Sequence, residues 1–229
     1  MARIVEAFAP ETKEEPIAPP ALARIEAALA AYAKAITPWA GATAKRMIAE
    51  VNRRDLTAWR NYTAQMGAAL RVELAGAPIG GPMAEILAQQ VELITSLPLE
   101  AAQHVHEKSM EAISISSRYP ERTEEIEQAL AEAHPDATHA WLRARAELIA
   151  RTETARTASV LTQARAQHIG AEQYIWKTAG DWKVRPSHKK LNNTVQRWDE
   201  PPLSDPPDYH AHPGQIFNCR CVALPIVPA

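Results

Sequence analysis

The stretch DATHAWLRARAELIARTETARTASVLTQARAQHIG, residues 136–170, sets the architecture of the chain. It is the longest segment of helical character, and it contains neither proline nor glycine before Gly170. We therefore predict one long helix from Asp136 to His168, with Gly170 as the C-terminal cap. The composition changes abruptly after Gly170, so a different kind of structure is expected to follow.

The chain upstream of this helix is also predicted to be helical. Leu22, Ile25 and Leu29 recur at spacings of three and four in an Ala-rich segment, which is typical of an amphipathic helix. Pro38 is expected to end that helix. The further expectations are, in chain order, a helical stretch interrupted near Asp55, a turn at 75–82, a helix over 83–97, a new helix opened by Pro98 and a short helix between Pro120 and Pro135.

The first residues of the chain are predicted to form an arm. Residues 9–20 carry four prolines and little periodicity, which is typical of a flexible segment. The sequence accordingly predicts a flexible arm at 1–19, a helical domain at 20–150 and a C-terminal module at 151–229.

The C-terminal module is predicted to be small, rich in loops and of α+β type. Eight of the 18 prolines lie between Pro186 and Pro228. The segments 172–178 and 220–227 are aromatic or β-branched and predict short strands, whereas 199–214 predicts an extended loop because of its prolines. The predicted fold class is mainly α, with an N-terminal helical bundle and a long helix that leads into this module.

Composition limits the classes of function. The 229 residues carry a net charge of −2, which excludes a globally basic nucleic-acid binder but not a local basic patch. No apolar run of about eighteen residues is present, so no transmembrane helix and no membrane partner are expected. The N-terminus lacks the apolar segment of a secretory signal, and we expect the chain in the cytoplasm.

A polar block, Arg151, Thr152 and Glu153, lies within the long helix. Glu153 and Arg156 are three residues apart and share a helix face. The block is interpreted either as a solvated face of the helix or as a polar network that docks the C-terminal module onto it.

A basic stretch at 174–191 combines two tryptophans, Trp176 and Trp182, with five cations and one acid, Asp181. Cations interleaved with aromatic rings can follow a phosphate backbone and stack on bases. The alternative is that the tryptophans belong to the core and the cations keep a loop soluble. The candidate DNA contacts are Lys177, Lys183, Arg185, Lys189 and Lys190.

The two cysteines of the chain, Cys219 and Cys221, are separated by one residue. A disulfide between them would close a small, strained ring, and a reducing environment disfavours it. Three alternatives stay open: buried packing, a nucleophile paired with a histidine, and a structural zinc site. The zinc ligands would be Cys219, Cys221, His188 and either His210 or His212, with His212 taken as the fourth.

Three blocks in order, "IARTETART", "WKTAGDWKVRPSHKKL" and "HPGQIFNCRC", resemble the phage Mu F-like minor head proteins, a head morphogenesis family. The resemblance covers roughly the last 80 residues. Where relatives commonly have a glycine after His-x-x-Leu, this chain has Asn192-Asn193, and asparagine also tolerates a positive φ. The residues carried over are Arg151, Thr152, Glu153, Trp176, Thr178, Asp181, Arg185, His188, Pro213, Gly214, Cys219, Arg220 and Cys221.

The resemblance implies a virion component and not an enzyme. Such proteins are minor capsid proteins of tailed phages that bind the portal, enter the procapsid during assembly and are linked to DNA packaging or delivery. It implies the portal protein as partner, with scaffold, major capsid protein and packaged DNA as further candidates. The implied location is the portal vertex of the phage head, and the host cytoplasm during assembly.

Two other functions remain open on the residues alone. A metal-dependent nuclease or hydrolase is one, because histidines and cysteines cluster near a basic stretch. A DNA-binding module without catalysis is the other.

Overall fold

The computed structural model describes residues 1–8, 17–62, 64, 68–118, 121–205 and 207–228. Over these residues the protein is mainly helical, with a few short antiparallel strands in the C-terminal region, and the predicted fold class is confirmed. The helices are α1 (Ala2–Glu6), α2 (Pro19–Ala35), α3 (Thr37–Tyr62), α4 (Ala68–Ala75), α5 (Gly80–Arg118), α6 (Thr123–Ala133), α7 (Pro135–His168) and α8 (Pro186–Leu191).

The strands form two small sheets. In the first, β1 (Gln173–Lys177) pairs antiparallel with both β2 (Val195–Arg197) and β5 (Val222–Ile226), so β5 is an edge strand. The register places Trp176 opposite Ala223 and Tyr174 opposite Pro225. In the second, β3 (Leu203–Asp205) pairs with β4 (Tyr209–His210). The prediction of a strandless loop over 199–214 is therefore wrong at these two short strands.

The described part of the chain forms two compact units, and each is made of two segments. The first unit comprises Met1–Ala42 and Val91–Glu147, and the second comprises Thr43–Gln90 and Leu148–Ala229. Within α7 the first unit ends at Glu147 and the second begins again at Leu148, and the domain division at residue 150 stays a prediction. Helical periodicity alone does not indicate that residues 43–90 belong with the C-terminal part of the chain.

The first unit has an apolar core from α1, α2, α5 and α7. Within the arm predicted for 1–19, α1 is helical and its Val5 is fully buried in this core, together with Ile17. Residues 9–16 of that arm lie outside the described residues. Apolar burial orders the end of the chain here, since Val5 packs with Leu22, Ile25 and Leu29 of α2.

Two predicted helix boundaries are wrong. Helix α3 runs without interruption through Asp55, and α5 runs without interruption through Pro98. Proline removes one backbone hydrogen bond from a helix, but Leu97, Ala101 and Val105 are buried on both sides of that position, and their burial keeps the helix continuous. Pro38 does mark a boundary, because α2 ends at Ala35 and α3 begins at Thr37.

The second unit has an aromatic core under the first sheet. Tyr174 and Trp176 of β1 are fully buried and pack with Trp59 of α3 and Ala166 of α7. Helix α7 ends as predicted: Gly170 has a φ of +74°, and the backbone N–H of Ala171 donates to the carbonyl of Ala166 at 2.9 Å. This geometry turns the chain from α7 directly into β1.

Among the described residues, no helix combines the length and the apolar character that crossing a membrane requires.

Candidate functional site

The polar block of α7 holds the segment that carries the cysteines. Thr152 is buried, and its Oγ1 accepts a hydrogen bond from the backbone N–H of Asn218 at 3.0 Å. Glu153 is also buried, and burial raises the pKa of its carboxyl group although the charge of Arg156 opposes the shift. Arg151 is exposed. For Thr152 the docking interpretation is therefore the one that matches the geometry.

The Pro213-Gly214 turn packs directly on α7. Gly214 has a φ of +83°, and a Cβ at this position would lie 3.0 Å from the carbonyl oxygen of Ala155 and 3.3 Å from the Cβ of Ser159. Both the backbone conformation and the close approach require glycine. Pro213 is buried beside it, so the turn is a fixed contact with the helix.

The loop between β1 and α8 is tied to the same segment by two arginines. Arg220 donates two hydrogen bonds of 2.6 Å to the carboxylate of Asp181, and this pairing lowers the pKa of Asp181. Arg185 donates to the backbone carbonyl of Phe217 at 3.0 Å. Asp181 also accepts the backbone N–H of Lys183 at 3.0 Å, so its carboxylate accepts three hydrogen bonds from this part of the chain.

The Asn192-Asn193 departure from the family pattern is accommodated as expected. Asn193 has a φ of 65°, the conformation that asparagine tolerates. The side-chain oxygen of Asn192 accepts the backbone N–H of Thr178 at 3.0 Å. The turn after α8 thus forms without glycine and fixes Thr178 at the end of β1.

His188, Cys219 and Cys221 come together in the interior of this region. All three are buried, and their potential ligand atoms lie within 4.8 Å of one another. The Nδ1 atom of His188 is 3.4 Å from the Sγ of Cys221 and 3.7 Å from the Sγ of Cys219. The imidazole ring packs edge-to-face on Trp176, with ring centroids 5.3 Å apart. We call these three residues the Cys-His cluster.

The surroundings of the Cys-His cluster favour a thiolate at Cys219. Both cysteines are free thiols. The Sγ of Cys219 accepts the backbone N–H groups of Gly214 and Cys221, each at 3.4 Å. A hydrogen bond from the Cys221 thiol holds the pKa of Cys219 well below the ordinary thiol value, and His188 contributes to the same shift. The same pairing, with burial, raises the pKa of Cys221.

Of the two histidines proposed to complete a metal site, neither belongs to the Cys-His cluster. The Nδ1 of His212 lies 2.9 Å from the Tyr174 hydroxyl, and the ring packs edge-to-face against Trp198. Burial lowers the pKa of His212. His210 is exposed, with its Nδ1 2.9 Å from the carbonyl oxygen of Pro201. The structure thus brings together three of the four predicted ligands.

The basic stretch divides into buried and exposed parts. Trp176 is fully buried, whereas Trp182 is 82% exposed with the Lys183 ammonium 5.1 Å from its ring centre. Lys177, Lys183, Lys189 and Lys190 are exposed, while Arg185 is half-buried. The alternative that both tryptophans belong to the core is therefore right for Trp176 and wrong for Trp182.

Sequence reasoning missed several residues of this region. Phe217 is 48% exposed whereas the neighbouring Ile216 is buried, and the sequence does not distinguish the two. Asn218 has a φ of 54°, and only its position before a C-x-C motif could have singled it out. Asp55 and Arg165 form a buried ion pair, and Thr162 donates a hydrogen bond of 2.8 Å to Asp55. The sequence does not predict this pair, since both residues resemble ordinary surface charges of a helix.

Comparison with known proteins agrees with the resemblance seen in the sequence. The model of a family described as Phage Mu protein F like protein matches residues 103–224, which is more than half of the chain. An uncharacterized protein of Haemophilus influenzae (strain ATCC 51907 / DSM 11121 / KW20 / Rd) is 36% identical over 83 residues, which make up 36% of this chain and 17% of that protein. No solved structure matches the chain.

Proposed function

Because this chain belongs to the phage Mu protein F like family, whose function is phage head morphogenesis, we propose that it is a minor capsid protein bound at the portal vertex. Membership of a head family implies a location in the virion. The observation that carries the proposal is the extent of the family match, 103–224, which contains all three motif blocks. The contacts of Thr152, Gly214 and Asp181 join these blocks into one structure.

A surface beside strand β5 is suited to bind the portal protein. An apolar groove of about 580 Å³ lies between α3, α7 and β5. Val222 and Leu224 of β5 line it and are exposed. Exposed edge strands and apolar patches are typical sites of protein association. A portal segment that paired with β5 or filled the groove would satisfy both features. We call this surface the β5 groove.

The test is assembly of heads with and without portal protein. We expect the chain to co-purify with portal-containing procapsids at a few copies per head and to be missing from procapsids assembled without portal. Incorporation that is equal in both preparations would assign the chain to the capsid shell or to scaffold. Its absence from every purified head would exclude a structural role.

A second candidate function, direct contact with packaged DNA, is favoured by one observation. Trp182 is almost fully exposed, beside the exposed Lys183, and an exposed ring with a neighbouring cation suits stacking on bases and phosphate contact. We expect weak, salt-dependent binding to double-stranded DNA through its phosphates, and to single-stranded DNA also through stacking on its bases. Trp182→Ala with Lys183→Glu should abolish this binding in a fluorescence titration, whereas Lys177→Glu alone should weaken it only slightly. Binding that is unchanged by the double substitution would exclude this contact.

No catalytic role is proposed for the polar residues of the motif. Thr152, Asp181 and Arg220 are each engaged in a contact between segments of the chain. General acid or base catalysis needs a group that reaches the proton to be transferred on a substrate, whereas these three groups contact other parts of the chain. We therefore expect no cleavage when the protein is incubated with DNA and either Zn²⁺ or Mg²⁺, and metal-dependent cleavage would favour the hydrolase alternative.

A further inference from the structure

The Cys-His cluster has the dimensions of a metal site. A tetrahedral Zn²⁺ with Zn–S bonds of about 2.3 Å and Zn–N bonds of about 2.0–2.1 Å keeps sulfur and nitrogen ligands roughly 3.6 Å apart. The observed separations of the His188 Nδ1 from the two sulfurs, 3.4 and 3.7 Å, lie on either side of that value. The nitrogen donor therefore already has, to both sulfur donors, the spacing that a shared ion imposes, and all three donors lie within 4.8 Å of one another.

A cavity beside the three donors has room for the remaining ligand. It has a volume of about 20 Å³, and the Cys-His cluster lines it together with Ala179, Lys183, Val184, Arg185, Asn218 and Arg220. A space of roughly 10–15 Å³ is enough for one water molecule. Because Ala179 and Arg220 are exposed, a water molecule can enter from solvent. It can serve as the fourth ligand of a tetrahedral ion held by the three donors.

Backbone N–H groups around Cys219 are arranged to hold a thiolate ligand. The Sγ of Cys219 accepts two backbone N–H groups, from Gly214 and from Cys221, and the close contact of Gly214 with α7 fixes the first of these donors. Hydrogen bonds of this kind orient metal ligands and tune them. His188 is fixed by Trp176 and by its place in α8, which begins directly after Arg185.

We infer that His188, Cys219 and Cys221 bind one Zn²⁺ ion, with water as the fourth ligand. Two thiolates and an imidazole select zinc over the hard cations Ca²⁺ and Mg²⁺. The ion would join α8 to the segment before β5, in a region whose strands have at most five residues each. A structural metal is a common means of stabilising a module with so little regular structure. The inference does not depend on the proposed function.

Two nearby side chains are excluded as the fourth ligand by their own contacts. The Asp181 carboxylate is held by both guanidinium nitrogens of Arg220 at 2.6 Å. The His212 ring is held by Tyr174 and Trp198. The two buried histidines therefore have different roles: His188 is a metal ligand, and His212 belongs to the aromatic core.

Elemental analysis of the full chain, purified without chelator, tests the site. We expect one zinc per chain. After exchange with Co²⁺, we expect the intense near-ultraviolet absorption of cobalt-thiolate bonds and the visible bands of a tetrahedral ion. The substitutions Cys219→Ser, Cys221→Ser and His188→Gln should each lower the zinc affinity at least about tenfold.

The control variants are His212→Gln and the exposed His210→Ala, both of which should keep one zinc per chain. The wild-type metal content and the cobalt spectrum are read without any variant, so misfolding of a variant leaves them intact. A wild-type chain without zinc and without a cobalt-thiolate spectrum would overturn the inference. Loss of zinc in His212→Gln with retention in His188→Gln would also overturn the assignment.

Discussion

Gly214 is a residue at which the contact between the C-terminal segment and α7 is sensitive to substitution. Alanine at this position would meet both a φ of +83° and the Ala155 carbonyl oxygen at 3.0 Å. Gly180, with a φ of +76° and nothing within 4 Å of an added Cβ, is a matched control. Gly180→Ala should cost about 1–2 kcal/mol for the backbone conformation alone.

Gly214→Ala should cost about 1–3 kcal/mol more than Gly180→Ala, because the added methyl group overpacks the contact with α7. Urea denaturation of both variants measures the difference. Equal losses of unfolding free energy in the two variants would show that the turn shifts to accommodate the added methyl group. The close approach to α7 would then not require glycine.

Glu153 gives a pH-dependent prediction. Burial raises the pKa of its carboxyl group above the ordinary value of 4.5. The folded state then holds its proton more tightly than the unfolded state, so this group's contribution to stability falls as the pH rises through that value toward neutrality. Glu153→Gln should therefore stabilise the protein at neutral pH, with a gain that vanishes in acid.

The exposed Glu147 on the same helix is the control for this substitution. Glu147→Gln changes a solvated side chain and should leave the unfolding free energy close to that of wild type in denaturant titrations of both variants across the acid range. A gain for Glu153→Gln that is independent of pH would assign the effect to packing and not to ionisation.

Single residues could be predicted from sequence where local conformation determines them. The positive φ of Gly170 and Asn193 follows from the preferences of glycine and asparagine. The hydrogen bond from Asn218 to Thr152 could not be predicted in the same way, because it joins positions 66 residues apart. Spacing along the chain carries no information about such a contact, and the family resemblance places the two residues in separate blocks without joining them.

Among the secondary-structure elements, α3 and α7 are joined by a buried ion pair. Arg165 of α7 is 1% exposed and pairs with Asp55 of α3, and burial lowers the pKa of Arg165. Removing one partner of a buried pair leaves an uncompensated charge, so Asp55→Ala should cost about 3–5 kcal/mol. Thermal and denaturant unfolding would measure the loss.

The neighbouring Glu50 on α3 is the control for this prediction. It pairs with Arg53 and Arg54 on the exposed face of the same helix, and exposed pairs add little to stability. Glu50→Ala should leave the unfolding midpoint unchanged within error. Similar losses for Asp55→Ala and Glu50→Ala would mean that the buried pair is screened by water.

Helix continuity explains why the elements were predicted less well than the fold class. Asp55 and Pro98 both lie inside helices, although each is a typical boundary residue. Tertiary interactions override local preference at both positions: an ion pair at Asp55 and apolar burial around Pro98. Strands β1 and β5 were predicted because they are rich in aromatic and β-branched residues, whereas β2, β3 and β4 are too short to show a pattern.

For the whole molecule, the β5 groove gives the sharpest test of portal binding. Val222 on β5 and Val195 on β2 are exposed to a similar degree, 55% and 53%, and lie on opposite edge strands of the same sheet. Val222 also lines the groove. A charged residue in an apolar interface costs free energy because it loses its hydration. Val222→Glu should therefore reduce incorporation of the chain into portal-containing procapsids, whereas Val195→Glu should not.

Quantitative immunoblots of purified procapsids measure this incorporation. Unchanged melting temperature and zinc content in both variants would show that the folded chain and the neighbouring Cys221 are unaffected. Because both substitutions add the same charge to the same sheet, a difference between them reports the surface that is contacted and not the charge of the chain. Equal incorporation of the two variants would exclude the β5 groove as the portal-binding surface. It would not exclude portal binding by another surface, which the procapsids assembled without portal test separately.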